Sequence, residues 1–229
     1  MASRYWVGGS GLWNSTDTSH WSATSGGAGG ASVPGASDHV TFDNNSGAGA
    51  VVNNNYFASF LSLTVTGTAV ASVSGHVNVG GGVTCSGSTS LAGLHIVTTA
   101  NVNLNIQQAV ASITIGTGLR STLLSVISCG AFVLEAYASI KWSPGIQQPF
   151  GSVLSVSDLG ASIESSTSGT RARLNGAGGI VTFIALSAAD IEFVSPPTTW
   201  YKGAGCFDTN CLNWLDLPAG GNNFFALDL

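Results

Sequence analysis

The chain has 229 residues, of which 44% are hydrophobic and only 7% charged, with a formal net charge of −5. About 25% charge is usual for a soluble domain, so the surface must be covered by Gly (31 residues), Ser, Thr and Asn, which suit turns and strands better than helices. Six basic residues are too few for a phosphate-tracking stripe, and nucleic acid is not expected as a partner.

Residues 1–55 are Gly/Ser/Asn-rich and hold Trp6, Trp13 and Trp21. They open without the charged-then-apolar design of an export signal, so export by a cleaved signal is not expected. Residues 56–199 alternate apolar and polar side chains at period two: Leu61 to Thr66, Ala71 to Ser74, His76 to Val79, Val102 to Ile106, Ala111 to Ile115. That period places one set of side chains on a buried face and Ser, Thr or Asn on the other. Gly67, Gly75, Gly80 to Gly82, Gly87, Gly93, Asn101, Gly116, Gly118 and Gly130 punctuate these runs, as tight corners with positive φ would require. Strands of about five residues with short corners predict an all-β parallel solenoid, a β-helix-like body of about six coils at ~20–25 residues each. A sandwich would need longer strands and hairpin signals.

Residues 200–229 return to the style of the start. From Trp6, glycines follow at Gly9 and Gly11 and aromatics at Trp13 and Trp21. From Trp200, they follow at Gly203 and Gly205, with aromatics at Phe207 and Trp214. Downstream, Val33-Pro34 precedes Asp38, Val40, Phe42 and Asp43, while Leu217-Pro218 precedes Asn222, Phe224, Phe225 and Asp228. The reading is one motif used twice, a cap at each end of the body in a single compact domain. Solenoid ends otherwise expose core and unpaired edges, and Gly lets backbone approach an indole face. The rival reading is a carbohydrate platform of exposed Trp. Capping is preferred because aromatics of this kind are more often buried.

Chemistry-bearing residues are sparse. Glycoside hydrolysis needs paired carboxylates, for which Glu135, Asp158, Glu164, Asp190 and Glu192 are candidates. Asp190 and Glu192 would share a strand face, yet a solvated edge or a subunit contact is the preferred reading. Arg171 and Arg173 would likewise point to one side if extended, where they could pair with acids of a neighbouring subunit or another molecule. His20, His39, His76 and His95 lack metal-ligand spacing. Cys85 and Cys129 read as buried free thiols; Cys206 and Cys211 could bridge a loop, but two further zinc ligands are missing nearby. No catalytic motif, metal site or cofactor is expected.

Mean hydropathy is positive, +0.34. No run approaches the ~18–20 apolar residues of a spanning helix, and the Trp residues cluster near the ends rather than along strands as barrel girdles would. No membrane is expected; apolar surface should instead be hidden in a multimer.

The segment RYWVGGSGLWNSTDTSHWSATSGGAGGASVPGASDHVTFD, residues 4–43, resembles the N-terminal segment of a family of phage virion proteins. Its members look like Gly/Thr/Ser-rich fibre or decoration proteins with β-helical bodies. TVTGTAVASVSGHVNVGGG and TTWYKGAG are similar to that family as well, and the VPG and VTFD wording also occurs in autotransporter passengers. The resemblance implies a non-enzymatic structural protein of a bacteriophage virion, a capsid decoration or cement protein. Its partners would be itself, as a homotrimer, and the major capsid protein or other virion subunits. Alternatives are a tail fibre or spike that binds host surface glycans, a bacterial surface adhesin passenger, and a β-helix polysaccharide-degrading enzyme. The absent export signal favours the phage reading, because virion proteins assemble in the cytoplasm and leave by lysis.

Overall fold

A computed structural model describes residues 1–149, 154–156, 160–176, 179–194 and 198–216. The candidate Asp158 and the downstream part of the C-terminal motif, Leu217-Pro218 to Asp228, lie outside them. No helix occurs among the described residues. The strands are β1 (Ser3–Trp6), β2 (Gly11–Trp13), β3 (Trp21–Ser22), β4 (His39–Phe42), β5 (Ala50–Phe60), β6 (Ser62–Val65), β7 (Val70–Val79) and β8 (Val83–Cys85). Then come β9 (Leu91–Thr98), β10 (Val102–Ile106), β11 (Val110–Ile115), β12 (Arg120–Leu123), β13 (Cys129–Leu134), β14 (Ser139–Trp142), β15 (Gln147–Gln148) and β16 (Leu154–Val156). The last are β17 (Ala161–Ser165), β18 (Ala172–Leu174), β19 (Gly179–Phe183), β20 (Leu186–Ala189), β21 (Ile191–Phe193), β22 (Thr198–Lys202), β23 (Phe207–Thr209) and β24 (Trp214–Asp216).

These strands wind a parallel β-solenoid of about eight turns. The turns up to β16 give one strand to a long first sheet, ordered β23-β20-β17-β14-β12-β10-β8-β6-β4-β1-β3, and one to a second, ordered β16-β13-β11-β9-β7-β5-β2. From β14 onward a third side appears as β15-β18-β21, and the last turns carry β19-β22-β24. Registers such as Leu63 with Val83, Val102 with Ser121, and Ala161 with Leu186 set a step of 19 to 25 residues. Six steps separate β6 from β20, as expected for residues 56–199; the other turns are built from the two end segments. At about 4.8 Å per turn the stack is roughly 40 Å long.

Period two explains the core. Inward positions stack one per turn, as in Ala58–Val77–Ile96–Ile113–Phe132 and Phe42–Val65–Cys85–Ile106, all of them buried. Burying a side chain of Val, Leu, Ile or Phe size is worth about 1.5–3 kcal/mol, and each such residue packs against the turn above and the turn below.

Corners follow a different rule from the one the glycines alone imply. Gly118, Tyr137, Gly160, Ala185 and Gly205 each stand two residues before a register-aligned position of the first sheet, and all have φ between 53° and 71°. The left-handed corner is thus a column in which Gly is optional. Conversely, Gly75, Gly93 and Gly130, expected at corners, lie inside β7, β9 and β13. The second sheet's early strands are longer than the five residues expected, up to eleven in β5. Their register shifts where neighbouring turns touch: a Cβ on Gly75 would collide with the Asn54 carbonyl oxygen.

Candidate functional site

The Trp/Gly segments build the two ends. Trp6 and Trp21 are partners across the antiparallel pair β1–β3, edge to face with centroids 5.2 Å apart. Trp13 packs on Trp21 at 5.1 Å and on Phe60 at 5.4 Å, and Phe42 joins the same cluster. A Cβ on Gly11 would lie 2.5 Å from His20 Nε2; its absence lets the imidazole lie flat on Trp6, centroids 4.6 Å apart. The Trp6 indole N–H donates to the Gly9 carbonyl at 2.8 Å. At the other end Trp200 and Trp214 are partners in the parallel pair β22–β24, packed on Phe183 and Phe193, and the Trp200 indole donates to the Val194 carbonyl. The Gly203 N–H is bonded to the Phe183 carbonyl, and Gly205 ends the corner column.

Trp6, Trp13, Trp21, Trp200 and Trp214 are all buried, so the carbohydrate platform of exposed Trp is overturned. Among the described residues the two copies of the motif differ in two respects. Strand direction differs, antiparallel at the start and parallel at the end, and Phe207, the expected counterpart of Trp13, is 71% exposed. What the ends share is a buried first and last indole.

Most of the expected carboxylate candidates are tied down within the chain. Glu135 accepts from the Thr117 N–H and hydroxyl, each at 2.9 Å. Glu164 faces the hydroxyls of Ser139 and Ser162. Asp190 and Glu192 do not form a pair. Asp190 precedes β21 in the left-handed region, bonded to Asn210 and the Gly169 N–H, and these bonds, the Asn210 amide first, hold its carboxyl below the usual range. Glu192 meets Arg173 at 3.3 Å, and Arg171 donates to the Asn210 carbonyl and side chain. The two arginines expected to reach a neighbouring molecule therefore have partners in their own chain. Lys202 lies 3.1 Å from Asp208 and 3.0 Å from Asp216.

The cysteines are free thiols. Burial pushes Cys85 up to about 12 and Cys129 to about 11, so neither is a nucleophile at neutral pH. Cys206 and Cys211 are not bridged and donate instead to the carbonyls of Phe183 and Thr209. No group of three or more His, Cys, Asp or Glu that could hold a metal ion occurs among the described residues.

One place on the surface combines exposed aromatic and polar groups. In β5, Asn54 pairs with Gly75 and Ala58 with Val77, so Asn55, Tyr56 and Phe57 stand opposite His76 alone. Two extra residues preserve period two, and Val52, Asn54, Ala58 and Phe60 all stay inside. The inward Asn54 is satisfied: its amide donates to the His76 carbonyl at 2.6 Å and its Oδ1 accepts from the Tyr56 N–H. Gly75, at φ 105°, is required because a Cβ there would collide with the Asn54 carbonyl. The bulge pushes Phe57 out, 71% exposed, with its ring 5.1 Å from His76. His76 stacks on His95 of the next turn, centroids 4.3 Å apart and planes within 6°, and His95 Nδ1 lies 2.8 Å from Ser112 Oγ. Asn54, Asn55, Tyr56, Phe57 and His76 line a shallow cleft of about 250 Å³. Reading period two from Leu61 onward leaves this strand out. Its signal was the run Asn53-Asn54-Asn55-Tyr56-Phe57, where an amide takes an inward place.

No protein-family model, curated protein or solved structure matches this chain. The fold is a β-solenoid on its own geometry.

Proposed function

We propose that this chain is a structural component of a phage virion, a decoration or cement protein of the capsid surface that acts as a closed homotrimer. The observation that carries this reading is the placement of apolar side chains on a surface with little charge. Leu12 and Val51 are 53% and 52% exposed on neighbouring strands of the second sheet's outer face, Leu124 and Val126 stand out after β12, and Phe207, Leu212 and Leu215 are exposed on the last part-turn. Ser, Thr and Asn fill most of the outward positions between them, as in β6, β8 and β10. Such a surface adheres by shape and apolar area rather than by ion pairs. The carboxylates bound to their own chain favour a scaffold over a hydrolase.

The test has two arms. Sedimentation of the purified chain is expected to give a trimer, with more than about 2,000 Å² buried in total. Electron cryomicroscopy of the source particle is expected to place the chain on the shell, its loop-rich ends toward the capsid. A monomer at micromolar concentration with no position on the particle would defeat the proposal.

A further inference from the structure

We infer that the cleft at the β5 bulge is a binding site for one ring of a neutral saccharide, with Phe57 as the stacking platform and Asn55 and His76 as polar contacts. This goes beyond the structural role above and does not depend on where on a particle the chain sits.

The cleft is a built feature. A bulge of two extra residues costs ladder hydrogen bonds, and this one is stabilised by a buried amide that bonds both to its own strand and to the next turn. Gly75 makes the space for that amide. The result is an aromatic ring held away from the sheet, with one side toward His76 and the rest in solvent. Tyr56, in the middle of the bulge, packs partly against the core with its hydroxyl at the Trp13 indole, while Asn55 and Phe57 on either side of it are turned out to solvent.

The chemistry of the lining selects the ligand. Asn54, Asn55, Tyr56, Phe57 and His76 include no carboxylate, ammonium or guanidinium, so no charged ligand has a counter-ion there. An apolar ligand would leave the Asn55 amide and the imidazole without partners. A pyranose satisfies both halves: its C–H face covers an aromatic ring, and its hydroxyls bond amides and imidazole. At about 250 Å³ the cleft falls below the roughly 300–1,000 Å³ of drug-sized pockets, which fits a single ring at the end of a longer glycan. The His76–His95 stack, held by Ser112, keeps the imidazole beside Phe57 in place.

The experiment is saturation-transfer NMR on the full chain with the methyl glycosides of glucose, galactose, mannose and N-acetylglucosamine as probes. At least one is expected to receive saturation on its ring protons. Phe57→Ala is expected to weaken that probe by about tenfold while leaving the melting temperature unchanged, because the ring is exposed. His76→Ala is expected to weaken binding as well, and Phe57→Tyr to retain it. Saturation of none of the four probes overturns the inference, as does binding that survives Phe57→Ala. If Phe57→Ala instead shifts the chain to a smaller species in sedimentation, the ring belongs to an interface between copies and the saccharide site is wrong.

Discussion

At the scale of single residues, environment decides what each side chain does. The Trp6 and Trp200 rings are fully buried, and each donates its indole N–H to a carbonyl. Either residue replaced by Ala is expected to lose about 3–5 kcal/mol of stability in denaturant titration. An unchanged midpoint would mean the ring is not buried in solution. The thiols give a second check: Cys85 and Cys129 should label slowly in the native chain and rapidly after unfolding, because burial raises both. His95 sets a pH dependence. Burial first, and then His76 beside it, hold its pKa below the ordinary imidazole value of 6.5. Just below that value the unfolded chain binds the proton more readily than the folded one. Stability should therefore fall as pH drops through the ordinary imidazole value, and level off once the folded imidazole is also protonated. His95→Gln should flatten that slope; an equal slope in the variant would assign it to other groups.

At the scale of elements, the corner column is the feature most open to test. Left-handed backbone costs a non-Gly residue about 1–2 kcal/mol, and Tyr137 and Ala185 carry that cost while Gly118, Gly160 and Gly205 do not. A Cβ on Gly118 would touch nothing within 4 Å, so Gly118→Ala isolates the conformational effect. With the freer unfolded chain of a Gly counted in both cases, it is expected to destabilise by about 1 kcal/mol, and Ala185→Gly to stabilise by a similar amount. Urea midpoints measure both. Equal midpoints for Gly118→Ala and the parent would remove the column as an energetic feature. The reading of Gly as corner held at Gly67, Gly87 and Gly118, which have positive φ outside strands. Gly75, Gly93 and Gly130 lie inside strands instead: Gly75 keeps its positive φ there, and a Cβ would meet a backbone carbonyl oxygen at Gly75 and Gly130 and the Ser74 Cβ at Gly93.

At the scale of the whole molecule, stacking makes the fold nearly one-dimensional, each turn bonding only its neighbours. Val102 registers with Ser121 at a step of 19 residues. Deleting residues 102–120 should therefore remove one turn and leave the stack intact, with a β-type circular dichroism spectrum and a cooperative melt. Deleting half that length should abolish folding, since it would move every later side chain out of register. If the full-turn deletion also fails to fold, the turns are not interchangeable modules.

The amino-acid order by itself determined that this protein is an all-β solenoid. Period-two alternation and frequent short breaks can be read locally, and in a stacked fold each turn repeats the same local rule. It also marked the Trp/Gly segments as the ends, because large aromatics beside glycines are what an open stack needs for closure. Only the tertiary structure decided which aromatics face solvent. Trp13 and Phe207 stand at the same offset in their motifs, yet one is enclosed by Trp21, Phe42 and Phe60 and the other is bare. It also decided that Glu135, Glu164, Asp190 and Glu192 serve their own chain and that Phe57, His76, His95 and Ser112 form one column. The residues of that column are 17 to 19 positions apart in sequence and adjacent in space, because the length of a turn, set by bulges and corners along the chain, fixes which distant residues share a column.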